Sequence, residues 1–231
     1  MEEYLEAIMS IRADSSGSQG VHIGPLGLEG ILSIPDAPKG LVIFAHGSGS
    51  SRLSPRNKAV ARALTASRFG TLLFDLLTPL EAENRNNVFD IALLAERVIE
   101  TVTWARESSR TGPLPVGLFG ASTGAAAALG AAGERPRDIA AVVSRGGRPG
   151  LAATHLTKVL APTLLIVGGA DSIVKELNAS AFRGLVCEKR LHIVAGATHL
   201  FEEPGALEEV VQEATDWFEA HLSHCLKVNS K

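Results

Sequence analysis

This sequence predicts an α/β protein, with a mostly parallel central sheet and helices on both faces. Three observations carry that prediction. Short runs at 41–45, 71–74 and 163–167 are apolar almost throughout, as strands covered on both sides must be. They alternate with longer segments of helical character, the pattern of strand-helix-strand crossovers. Glycine-rich or polar residues follow several of the runs, where open sheets of this kind hold their ligands.

The elements follow in order. Residues 4–11 make a short amphipathic stretch and 14–20 have loop composition, so 1–20 read as an N-terminal extension, partly flexible. Residues 28–34 read as an edge strand closed by the turn Pro35-Asp36-Ala37-Pro38, and 40–45 as a buried strand. A helix over 55–68 leads to the strand at 71–74. The stretch 76–87 is long for a connection and is expected to wall a pocket. A helix over 89–107 leads to the strand 116–119 and then to a small-residue helix that includes 125–129. Next come a strand at 139–144, a short helix near 151–159, a strand at 163–167, a helix at 172–182 and a strand at 191–194. A final helix is expected from Pro204, a residue suited to the first helical position, to about His221. The connection after Ser144 leaves no room for a large lid domain. One domain over 21–222 results, with 223–231 as a C-terminal tail.

With 231 residues, 45% of them hydrophobic, and a formal charge of -3, the chain has ordinary globular composition and enough length for one large core. Scattered lysines and arginines argue against a nucleic-acid surface. No run approaches the roughly 18 apolar residues that span a bilayer, and Met1-Glu2-Glu3 lacks the basic start of a secretory signal. A cytoplasmic protein acting on small molecules, with neither membrane nor nucleic acid as partner, is expected. Cys187 and Cys225 lack metal or disulfide spacing and read as free thiols. The histidines supply no metal set.

The pentapeptide Gly120-Ala121-Ser122-Thr123-Gly124 directly follows the strand at 116–119. A serine there sits on a tight strand-to-helix turn, and glycines two positions either side let strand and helix approach. Later strands end at Asp171 and before His199, so the chemistry-bearing residues run in the order Ser, Asp, His. A serine hydroxyl needs a base to take its proton, and imidazole suits that task. Ser122 is therefore the candidate nucleophile, His199 its base and Asp171 the carboxylate that orients the base. Asp75, also at a strand end, is the alternative acid. A developing oxyanion needs preorganised N–H donors, and Thr123 follows the nucleophile. The loop His46-Gly47-Ser48-Gly49 follows the strand 40–45 and is the other candidate source. Its Gly47 and Gly49 can bring backbone close to substrate, while His46 is expected to order the loop. Arg52 and Arg145 also follow strand ends. Either can clamp an anionic substrate group, or pair with Asp75, Glu81 or Glu83 and pin loops.

Gly120 to Gly124, Asp171, His199 and His46-Gly47-Ser48-Gly49 together resemble the α/β-hydrolase fold. The lidless layout is similar to its dienelactone hydrolase-like branch, from about Leu28 onward. True dienelactone hydrolases carry cysteine where this chain carries Ser122. The resemblance implies an α/β-hydrolase domain that cleaves small-molecule esters without a cofactor or metal, and it selects the Ser48 N–H as the second oxyanion donor beside Thr123. Thioesterase, amidase and acyltransferase chemistry use the same residues, and a non-catalytic binding module is the reading outside enzymes.

Overall fold

The computed structural model describes residues 17–223. The stretch 4–11, His224, Cys225 and all of the tail beyond Ser223 lie outside the described residues. The sheet has eight strands: β1 (Gln19–Ile23), β2 (Leu28–Ser33), β3 (Leu41–Ala45), β4 (Gly70–Phe74), β5 (Val116–Ala121), β6 (Ala141–Arg145), β7 (Thr163–Gly168) and β8 (Lys189–Val194). Their order is β1-β2-β4-β3-β5-β6-β7-β8. Only β2 runs against the rest, pairing antiparallel with β1 and β4, while β4 through β8 pair in parallel. The mostly parallel sheet expected from the sequence is thus present.

Among the described residues six α-helices lie between or after the strands: α1 (Pro55–Ala66), α2 (Pro79–Glu83), α3 (Ile91–Glu107), α4 (Thr123–Glu134), α5 (Ser172–Gly184) and α6 (Ala206–Leu222). On one face, Ile43, Leu118, Val142 and Leu165 bury against Leu94 and Val98 of α3, the alanines of α4 and Ala181 of α5. On the other, Phe44, Phe119, Val143 and Ile166 meet Val60 and Leu64 of α1 and Val210, Ala214 and Phe218 of α6. Side chains alternate between faces along each strand, which is why the central strands β3, β4, β5 and β7 are buried at every position and apolar almost throughout. In α4 nearly every residue is alanine or glycine, so the helix lies flat between sheet and α3, and all but its last residue are buried.

Several boundaries differ from the sequence reading. β1 begins at Gln19, inside the stretch read as loop, so β2 is one strand in from the edge. The hairpin turns through Gly24 and Gly27, with Gly27 N–H donating to Gly24 O at 3.1 Å. The long connection 76–87 contains α2, started by a capping box in which Thr78 and Glu81 satisfy each other's backbone N–H groups. The short helix near 151–159 is two 3-10 turns, Pro149–Ala152 and Leu156–Lys158, closed by i+3 bonds. The last helix starts at Ala206 because Gly205, at φ 82°, breaks helical continuity with Pro204.

Candidate active site

Ser122 stands between β5 and α4 with φ 52° and ψ -119°, a conformation that costs a non-glycine residue about 1–3 kcal/mol. The surroundings hold it there. Its N–H donates to Arg145 O at 3.2 Å, and its carbonyl accepts from Arg148 N at 3.1 Å and Ala125 N at 3.2 Å. A side chain at Gly120 would collide with Ala125 and the Gly124 carbonyl, and one at Gly124 with the carbonyls of Ala45 and His46. Both glycines are therefore demanded by close approach of backbone to backbone.

The three residues picked out by chain order come together. His199 Nδ1 lies 2.8 Å from Asp171 Oδ2, and His199 Nε2 lies 3.4 Å from Ser122 Oγ. With Asp171 accepting at Nδ1–H, the lone pair on Nε2 faces the serine. Asp171 is also the N-cap of α5: its other oxygen, Oδ1, accepts from Val174 N at 3.2 Å. One carboxylate thus starts a helix and holds an imidazole. The loops carrying the pair are stitched together, Ala170 N donating to Ala197 O at 2.9 Å and Gly169 N to Val194 O at 2.8 Å. Asp171 is mostly buried and His199 half-exposed.

Gly47 passes so close to Ser122 that a Cβ on it would lie 3.0 Å from the serine Cβ. Beyond this contact, Ser48 N–H donates to Thr123 Oγ1 at 2.8 Å. The Thr123 N–H, at the first position of α4, has no intrahelical acceptor. His46 orders the loop as expected. Its Nδ1–H donates to Gly47 O at 2.9 Å and its Nε2 accepts Leu76 N–H at 3.2 Å, which fixes the neutral tautomer. Burial, the largest influence, holds its pKa below the ordinary histidine value, against the Gly47 hydrogen bond and the Asp75 charge.

A cleft of about 570 Å³ runs from Ser48 and Thr123 past Gly47, Gly49 and Arg52 to the apolar wall of Leu77, Val88 and Leu94. It lies beside Ser122 on the side of the loop 46–49, and neither Ser122 nor His199 lines it. The wall from Leu76 to Ala82 was legible in the sequence. The contribution of His22 and Leu26 was not, because it depends on the β1–β2 hairpin; the glycine-bounded turn between apolar runs was its available signal.

The arginines divide. Arg52 is committed: its guanidinium pairs with Asp75 and Glu29, and its backbone N–H donates to Asp75 Oδ1 at 2.6 Å. This leaves Asp75 a loop-pinning carboxylate, while the carboxylate on His199 is that of Asp171. Arg145 is not on an exposed rim. It is 8% exposed, its guanidinium lies 6.0 Å from the Phe119 ring centroid, and its Nη1 has no hydrogen-bond partner among the described residues. Burial, then the nearby Arg56 cation, brings its pKa down to about 10. Among the described residues no three His, Cys, Asp or Glu side chains converge to hold a metal, and no helix is long and apolar enough to cross a membrane.

A family model described as the dienelactone hydrolase family matches residues 29–224. The crystal structure of a dienelactone hydrolase from Anabaena variabilis is 51% identical, with a TM-score of 0.86 over 89% of this chain and 97% of that one. Est1E from Butyrivibrio proteoclasticus shares the fold at 16% identity, with a TM-score of 0.74 over 88% of this chain and 98% of that one. A Mycobacterium tuberculosis protein named "Putative phosphoribosyl transferase" is 57% identical over 199 residues, 86% of this chain and 45% of its own length. The chain therefore spans about half the length of the curated relatives it matches. The matched family model, the Anabaena likeness and the eight-stranded sheet with its serine-bearing turn agree: this chain belongs to the dienelactone hydrolase family and has the α/β-hydrolase fold.

Proposed function

We propose that this chain is a serine hydrolase that cleaves small esters through an acyl-enzyme on Ser122. The observation that carries the reading is His199, which bridges the Asp171 carboxylate and the Ser122 hydroxyl through its two ring nitrogens. Nε2 takes the serine proton as Oγ bonds to the ester carbonyl carbon, and returns it to the departing alkoxide. Asp171 keeps the imidazole in the productive tautomer and stabilises the imidazolium. The contact at 3.4 Å is at the long end of hydrogen bonding and shortens when substrate closes the gap. Water then attacks the acyl-enzyme by the same proton path. The cleft has the dimensions of a small-molecule site, and its apolar wall suits an acyl or alcohol group.

The transferase name of the mycobacterial relative belongs, on this reading, to the part of that protein that this chain does not span. Fluorophosphonate labelling tests the proposal. A single adduct at Ser122 is expected, absent in Ser122→Ala and slowed by about a millionfold in His199→Ala. Absence of any adduct would favour a non-catalytic binding role. Esters, thioesters and amides of matched acyl groups, each with and without an acyl-accepting alcohol, then separate esterase from the related chemistries.

One observation favours a preference for anionic esters. The buried guanidinium of Arg145 belongs to the residue that accepts the Ser122 N–H, and it has no carboxylate partner among the described residues. Buried charges are normally paired, and although Arg145 does not line the cleft, a substrate carboxylate that reached its guanidinium would complete the pair. Arg145→Met is expected to lower kcat/KM on an acidic acyl ester roughly 10- to 100-fold more than on its neutral analogue, from the ~1.5–3 kcal/mol of a charged hydrogen bond. Equal losses on both esters would assign Arg145 to packing.

A further inference from the structure

The Ser48 N–H, expected to point at the oxyanion, instead donates to the Thr123 hydroxyl at 2.8 Å. A hydroxyl has one proton to give and two lone pairs to accept with. One lone pair of Thr123 Oγ1 is taken by Ser48. Its proton has no acceptor among the described residues, although Thr123 is only 2% exposed. The residue that should offer one donor to the oxyanion, its backbone N–H, therefore carries a second on the same side chain. Both belong to the residue next to the nucleophile. The Gly47–Ser122 contact places the backing N–H of Ser48 immediately alongside.

We propose that the Thr123 hydroxyl is a catalytic oxyanion donor, with Ser48 N–H polarising it from behind. The inference rests on the hydrolytic reading of Ser122 and changes how its oxyanion is held. As Ser122 Oγ bonds to the carbonyl carbon, its proton passes to His199 Nε2 and the carbonyl π electrons move onto oxygen. That oxygen accepts from Thr123 N–H and from Thr123 Oγ1–H. The threonine proton stays on Oγ1 throughout, so no further proton transfer is needed. Hydrogen bonds in a chain strengthen one another by roughly 10–30% each, and the Ser48 bond makes the hydroxyl a better donor as negative charge develops. A backbone N–H also holds the hydroxyl in one orientation before substrate arrives, which is what preorganisation requires.

The reading in which Ser48 acts directly makes the opposite prediction. There the threonine hydroxyl competes for the Ser48 proton, and its removal frees a donor. Thr123→Val keeps the shape and β-branching, Thr123→Ala removes the same hydroxyl without the branch, and Thr123→Ser keeps the hydroxyl. Turnover of p-nitrophenyl acetate and butyrate is measured, together with inhibition by a trifluoromethyl ketone, whose serine adduct carries an oxyanion. Valine and alanine are each expected to lower kcat by about 100- to 1000-fold with little change in KM, and to weaken the ketone by a similar factor. Serine should stay within about tenfold of wild type, and melting temperatures report whether each variant folds. Valine or alanine variants as active as wild type, or more so, overturn the threonine role while leaving the Ser122 reading intact. Ester hydrolysis that survives Ser122→Ala, or a wild-type chain without it, overturns both.

Discussion

At the scale of single residues, the site is held by groups that each serve two masters. Asp171 caps a helix and holds His199; His46 binds the loop after β3 to the end of β4 through Leu76. The second arrangement has a pH signature. Burial holds the folded His46 pKa below its ordinary value, so the unfolded chain takes up this proton first as the solution is acidified. The contribution is complete above the unfolded value of about 6.5 and is lost as pH falls from there toward the folded pKa. Protonation also places a second N–H against that of Leu76. The urea midpoint should drop between about pH 7.5 and about pH 5.5, and drop less in His46→Gln. Parallel curves for the two proteins would remove His46 from the acid response. The Ser, Asp and His were legible because their chain order is fixed by the strand ends that bear them. The Thr123 hydroxyl bond was not, since it joins side chain to backbone across 75 positions and leaves no local pattern.

At the scale of elements, what was legible depended on whether a signal was local. The central strands β3, β4, β5 and β7 are buried at every position and apolar almost throughout, so they stood out. α2 also had a local signal, Thr78-Pro79-Leu80-Glu81, a capping residue followed by proline and a glutamate three positions on, yet its five residues hide within a polar connection. β1 was obscured because only Ile23 is buried among its residues, so apolar periodicity is nearly absent. Proline at a helix start misled at Pro204: the rule concerns an orphan N–H, but the left-handed Gly205 after it decides where the helix begins. Close packing explains the serine-bearing turn best. α4 can lie against β5 and β3 only because alanine and glycine supply nearly all of its surface, and that composition was visible before the contact was.

At the scale of the whole molecule, the sheet sorts its residues by protection. β5, which presents Ser122, has paired strands on both sides and is buried along its full length. β8, which leads to His199, is an edge strand of the sheet, and only Val194 on it is fully buried. Arg190 and His192 on it pair with Glu213 and Glu209 of α6, charges that discourage another chain from adding there. Ser122 and His199 therefore hang from parts of the fold with different local stability. Edge fraying would carry the imidazole away while the serine stayed seated in intact structure. Loss of ester turnover in urea should then precede loss of circular dichroism, with amides of residues 191–194 exchanging faster than those of 117–121. Coincident transitions would mean that β8 melts only with the rest. In the expected case, inactivation is a partial and reversible event, and a chain whose His199 has left the site still keeps its core and can recover the imidazole by re-zipping a single strand.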